Sequence, residues 1–167
     1  DCTEIILDKY AEIDSRIKAI HKRNGGESSA RNIGLQMMSG QYVGFMDCDD
    51  WVESDMYENL ILKATKSKAD IVASSWYCDR ENVSVKILNR LPVSEEVFDK
   101  EKLLNYIYKR DDYRGFAYMW NKLYKRELFY DANGKLMLFD EDLALGGDVL
   151  YLAKLALNST QAFYINK

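Results

Sequence analysis

The spacing of apolar positions changes several times along the chain. Over residues 4–13 (EIILDKYAEI), Ile6, Tyr10 and Ile13 share one stripe of a helix. Asp14-Ser15 interrupts that stripe, and Arg16-Ile17-Lys18-Ala19-Ile20 alternates as a strand does. Asn24-Gly25-Gly26 reads as a loop. Ser28 is a suitable cap for the next helix, which carries Ala30, Ile33, Met37 and Met38 on one face and stops at Gly40. Residues 42–46 (YVGFM) are almost wholly apolar, the pattern of a central strand buried on both faces.

That run leads directly into Asp47-Cys48-Asp49-Asp50. Ser54 can cap a helix over about residues 55–66, with Tyr57, Ile61 and Ala64 on one side. Residues 70–75 read as another buried strand. This alternation of helix and strand across short connections predicts an α/β fold around a mainly parallel sheet. The second half is less regular. Residues 83–88 alternate as an edge strand, and Pro92 separates them from a helix beginning near Asp99. A turn is expected around Asp111, Asp112 and Gly115. Gly146-Gly147 precedes a helix with Val149, Leu152, Ala153 and Ala156 on one face, and residues 161–166 close the chain as a strand. No repeat or linker divides the 167 residues, which are read as one domain.

Composition narrows the function. Hydrophobic residues make up 47% and charged ones 30%, with a net charge of −4 and no long block of one sign. Global disorder and a nucleic-acid-binding face are both disfavoured. No apolar run is long enough for a transmembrane segment. The three cysteines, Cys2, Cys48 and Cys78, have no CxxC spacing and read as free thiols of a cytoplasmic protein, with membrane-peripheral attachment as the alternative. His21 is the only histidine. A metal would therefore need oxygen ligands, which favours Mg2+ or Mn2+.

Three places carry candidate chemistry. Asp47 and Asp49 stand at the carboxyl end of a predicted strand, where ligands gather in α/β sheets. Their mutual repulsion favours a compensating cation; the plainer alternative is a loop with an Asx turn and a helix cap. Residues 24–32 (NGGESSARN) place glycines before a helix start whose free N–H groups suit an anion. Arg31 there either meets a diphosphate or pairs with Glu27. Gly147-Asp148 opens the last long helix, so Asp148 is either its N-cap or a general base. Trp120, followed by Asn121 and Lys122, offers a wall for a sugar ring or, more simply, a core side chain. Cys48 and His21 are not expected to act in catalysis.

Taken together, these segments resemble the family 2 glycosyltransferases, which have the GT-A fold. Residues 24–34 (NGGESSARNIG) are similar to the family's NxGxSxARNxG signature. Residues 40–51 (GQYVGFMDCDDW) resemble its strand and metal motif, and residues 120–126 (WNKLYKR) a downstream W-x-K-L element. The resemblance implies a GT-A-like, Rossmann-like sheet flanked by helices and an inverting transfer from a nucleoside-diphosphate-sugar donor, often UDP-linked. The acceptor would be a saccharide or lipid-linked saccharide, as in bacterial polysaccharide synthesis. It implies that Asn24, Arg31, Asp47 and Asp49 bind the donor, Asp49 with Asp47 holding the metal. Asp148 would be the acceptor's base, and Trp120 and Lys122 would contact the acceptor.

Two departures stand out. Gly147 occupies the place where the family has Glu before that Asp, which brings residues 139–142 (FDED) forward as another source of carboxylates. The family's opening strand, helix and second strand, ending in Asp-Asp-Gly-Ser-Thr-Asp, are not seen, and Asp1 matches the last Asp of that run. The expectation is a chain that is a piece of a longer enzyme. The alternatives are a non-catalytic GT-A-like scaffold and a metal-dependent nucleotidyl or phosphoryl transferase.

Overall fold

A computed structural model describes residues 2–78, 87–89, 94–108, 114–143 and 145–166. The expected strand residues 83–86, Pro92 and the turn at 111–112 lie outside these. The described residues form helices α1 (Thr3–Ile13), α2 (Gly26–Met37), α3 (Met56–Ser67), α4 (Lys100–Tyr108) and α5 (Gly147–Asn158) and seven strands. These are β1 (Tyr42–Gly44), β2 (Ile71–Ser74), β3 (Trp76–Cys78), β4 (Ile87–Asn89), β5 (Glu95–Asp99), β6 (Lys122–Lys125) and β7 (Gln161–Ile165).

Five strands form one sheet in the order β1-β6-β2-β7-β5, and β3 and β4 form a separate antiparallel ribbon. The sheet is mixed, which corrects the expectation of a mainly parallel one. Only β2 and β7 pair in parallel; β6 runs antiparallel to both β1 and β2, and β5 antiparallel to β7. The strands β1, β2 and β7 therefore share one direction, as helix–strand alternation requires. The reversal comes from β5 and β6. The less regular second half inserts β6 between β1 and β2, a pairing that local periodicity does not encode.

This insertion also places β1 at a sheet edge rather than at its centre. Val43 and Phe45 pack on the larger core and Tyr42 on the smaller one, all three half-buried, while Gly44 and Met46 are exposed, so the strand is not buried on both faces as expected. Side-chain alternation divides β2 in the same way: Ile71 and Ala73 join the larger core, and Val72 the smaller. All four residues of β2 are buried, as a strand covered on both faces should be. Helix α3 lies over the smaller core through Leu60 and Ala64, and α4 and α5 supply Leu103, Ile107, Tyr151 and Leu152 to the larger.

Local differences follow from polar groups. Residues 16–20 form no strand, because nothing among the described residues supplies them with ladder partners. A turn closes there instead, with Asp14 Oδ1 accepting from the Arg16 amide at 2.9 Å. Helix α2 begins before Ser28, since Asn24 Oδ1 accepts from the Gly26 amide at 3.0 Å and Gly26 takes a φ of +80°. Its buried positions are Asn32 and Leu35, not the predicted stripe, and Met37 is exposed. Asp55, not Ser54, flanks α3, and Ile61 of the predicted stripe faces outward. The strand β5 had no signal in the apolar pattern; its pairing with β7 creates it. No helix among the described residues is long and apolar enough to cross a membrane.

Candidate active site

Arg31 lies in the second turn of α2, Asp47 in the loop after β1, and Asp148 in the first turn of α5. The fold brings all three together. Arg31 Nη2 donates to Asp47 Oδ1 at 3.0 Å, and Nη1 donates to Asp148 Oδ1, 117 residues away along the chain. Glu27 forms a third ion pair with the same guanidinium. The pairing of Arg31 with Glu27 is thus present, and Asp47 and Asp148 share the same guanidinium. The guanidinium lies over the ring of Phe139, 5.4 Å from its centroid. Burial opposes its charge, yet the carboxylates of Asp148, Glu27 and Asp47 hold its pKa above the ordinary arginine value.

Asp148 is not the N-cap of α5. That place belongs to Gly146, whose φ of +79° suits a residue without Cβ. The Asp148 carboxylate instead accepts from the Met119 amide at 3.2 Å through Oδ2. It is thus oriented by a guanidinium on one oxygen and a backbone N–H on the other.

The turn that supplies Met119 is held from beneath by β6. Lys122 and Tyr124, two residues apart, point to the same side of that strand. Lys122 is fully buried and its ammonium donates to the carbonyl of Tyr118 at 2.9 Å and to Asn121 Oδ1 at 2.7 Å. Tyr124 donates its hydroxyl to the Met119 carbonyl at 3.0 Å. Burial pushes the Lys122 pKa down to about 7, against the attraction of Asp148. The side chain expected to touch an acceptor thus faces inward and supports the turn. Asn121, with a φ of +56°, donates through its side chain to the Ser74 carbonyl at 2.7 Å.

Asp47, Asp49 and Asp50 divide between two surroundings. Asp47 contacts Arg31, and the Asp50 amide closes a turn onto the Asp47 carbonyl at 3.2 Å. Asp49 and Asp50 line a cavity of about 790 Å3 beyond the ends of β1 and β2. Burial and the negative charges of Asp47 and Asp49 raise the pKa of Asp50. No group of three or more His, Cys, Asp or Glu side chains among the described residues forms a complete metal cage.

Trp120 reaches the cavity wall, with Trp76 edge-on to it at 5.4 Å and Tyr118 stacked on it at 5.5 Å. Asn24 is occupied in its own turn at the head of α2. Asp140 and Asp142 form an exposed turn, and Glu141 is tied to Asn32 rather than to Arg31. His21 is exposed and bonded to Asp8, and Cys48 is an exposed free thiol. Asn32, Trp76 and the Met119 amide had no distinguishing signal of their own. They matter through contacts to residues 44 or more positions away, or through a backbone atom.

The model of glycosyl transferase family 2 matches residues 1–132, and the chain belongs to that family. It is 37% identical over 143 residues to the uncharacterized glycosyltransferase EpsJ of Bacillus subtilis, covering 86% of this chain and 40% of that one. It is 36% identical to glycosyltransferase GlyA of Streptococcus pneumoniae, covering 100% of this chain and 24% of that protein. The crystal structure of S. aureus TarS 1-349 in complex with UDP superposes with a TM-score of 0.74 at 20% identity, over 100% of this chain and 46% of that one. That likeness establishes the GT-A-like fold. The chain spans less than half the length of each of these proteins.

Proposed function

We propose that this chain belongs to an inverting glycosyltransferase that moves a sugar from a nucleoside-diphosphate donor, UDP-linked, to a saccharide or other hydroxyl acceptor. The observation that carries the reading is the single guanidinium of Arg31 joining Asp47 and Asp148. It puts the donor-side motif and the proposed base within one side chain's reach.

The reaction is a single displacement. The acceptor oxygen bonds to the anomeric carbon while the bond from that carbon to the diphosphate breaks, its electron pair leaving with the phosphate oxygen. Asp148 takes the proton from the acceptor hydroxyl. Each of its oxygens has two acceptor sites, so the bonds to Arg31 and Met119 orient it without filling it. Arg31 offers a positive, forked donor to the departing diphosphate. Asp49, with Asp47, would hold Mg2+ or Mn2+, which as a Lewis acid stabilises the leaving charge.

Calorimetric titration of the full-length protein with UDP, with and without Mn2+, tests the donor side. Metal-dependent binding is expected; no binding would sink the proposal. Gly147, where the family pattern has a carboxylate, favours a second reading as a non-catalytic binding domain. UDP binding with no transfer to any acceptor would select it. Release of pyrophosphate in place of a nucleoside diphosphate would point to nucleotidyl transfer.

A further inference from the structure

The cavity beyond β1 and β2 contains a feature that donor chemistry does not use. All three tryptophans of the chain, Trp51, Trp76 and Trp120, line it. They belong to two separate aromatic groups. Trp51 stacks on Tyr77 at 6.2 Å, and Trp76 meets Trp120 edge-on at 5.4 Å. Trp51 and Tyr77 are 44% and 43% exposed, so their rings are presented to solvent and not used as core.

Flat aromatic faces bind the C–H faces of sugar rings through apolar contact, and polar groups around them take up the hydroxyls. Asn59 and Glu53 line the same space. At about 790 Å3 the cavity lies in the range of sites for ligands larger than one ring. A donor carries one sugar; two aromatic groups suit successive rings of an acceptor.

The charge of the lining is one-sided. Among the described residues, Asp49, Asp50, Glu53 and Asp55 line the cavity, and no Lys, Arg or His does. A polyanionic acceptor would be repelled there, because a divalent ion at Asp47 and Asp49 offsets only part of this charge. A neutral chain is admitted, and an amine-bearing one gains both ion pairing and attraction to the aromatic faces.

We propose that this cavity is the acceptor subsite for a neutral or amine-bearing oligosaccharide, with Trp51, Trp76 and Trp120 as its platforms and its carboxylates as the filter against polyanions. The proposal rests on the glycosyl-transfer reading above. Binding to the full-length protein is read by calorimetry, with the fluorescence of this chain's three tryptophans, all of which line the cavity, as a second signal. The probes are β-linked tetramers of glucose, glucosamine and glucuronic acid, titrated with UDP and Mn2+ present. The glucose or glucosamine tetramer should bind saturably, and the glucuronic acid tetramer should bind about tenfold more weakly or not at all.

Trp51→Ala should weaken the binding roughly three- to tenfold and leave UDP affinity by calorimetry unchanged. Its exposed position keeps truncation from emptying the core, and Tyr77→Ala gives a second variant of the same kind. Saturable binding of UDP with no response to any tetramer overturns the subsite alone. Preference for the glucuronic acid tetramer overturns the charge filter and with it the proposed acceptor class. Failure to bind UDP is a failure of the donor reading, seen in a separate measurement.

Discussion

Asn32 pairs with the backbone of Phe139 from both ends of its side-chain amide, donating to the carbonyl at 3.0 Å and accepting from the N–H at 2.8 Å. The pairing imitates a strand ladder between a helix and a loop. It fixes the segment whose ring underlies Arg31 and stacks on Tyr151 at 3.8 Å. Asn32→Ala would leave a buried N–H and a buried carbonyl without partners. A loss of about 2–3 kcal/mol of stability is expected by urea denaturation, together with weaker UDP binding as Arg31 loses its support. An unchanged denaturation midpoint would show that the pairing contributes nothing net.

Asp148→Asn keeps the shape of the carboxylate but cannot accept the acceptor's proton. Transfer by the full-length enzyme should fall about 10²- to 10⁴-fold, with UDP affinity nearly unchanged. Asp49→Asn should give the opposite pattern, losing metal-dependent donor binding first. If Asp148→Asn retains full transfer, the base lies elsewhere.

Lys122 gives a pH signature. Its folded pKa, about 7, is below the ordinary value of 10.5 because burial disfavours the charge. Between those values the unfolded chain carries the proton and the folded one does not, so stability rises with pH across that window. The rise is at most about 1.4 kcal/mol per pH unit and ends once the ordinary value is passed. Lys122→Met should remove that slope when urea midpoints are compared across the window. An equal slope in both proteins would assign it to another group.

Asp70 has the reverse dependence. Burial alone would raise its pKa, but hydrogen bonds from Lys125 at 2.8 Å and from the amide and hydroxyl of Thr160, each at 2.7 Å, hold it below the ordinary 3.8. The carboxylate ties β6 to the start of β7. Its contribution is complete above the ordinary value and is lost as pH falls through the lower folded value. Asp70→Asn should cost about 1–3 kcal/mol near neutrality and progressively less in acid. A constant difference down to strong acid would show that the ionised form is not what stabilises.

Gly44 faces the ring of Tyr57, and a Cβ built there would lie 2.8 Å from Cε1. Gly44→Ala must displace Tyr57 from its packing on the smaller core. A loss of about 1–3 kcal/mol is expected, read as a lower thermal midpoint. Gly44→Ala combined with Tyr57→Ala should lose little stability beyond the loss from Tyr57→Ala alone, and additive losses would argue against the clash.

Much of the fold was legible locally. The helix over residues 4–13, the buried strand at 70–75, the helix after Gly146 and the final strand all follow from period and punctuation. The edge position of β1 was not, because an apolar run does not report which strand lies beside it. The buried face of α2 was misread because an amide, Asn32, occupies it. Lys122 looked like a surface contact because a lysine that spends its hydrogen bonds inside the protein has no local mark.

Residue chemistry and order along the chain determined which side chains could take part: Arg31 beside a helix start, carboxylates after a strand, Asp148 after two glycines. The tertiary structure alone decided that one guanidinium would join Asp47 to Asp148, that Lys122 would turn inward, and that three distant tryptophans would share a cavity. Those are contacts across sheet and helix layers. They depend on strand order and helix rotation, which no window of sequence specifies.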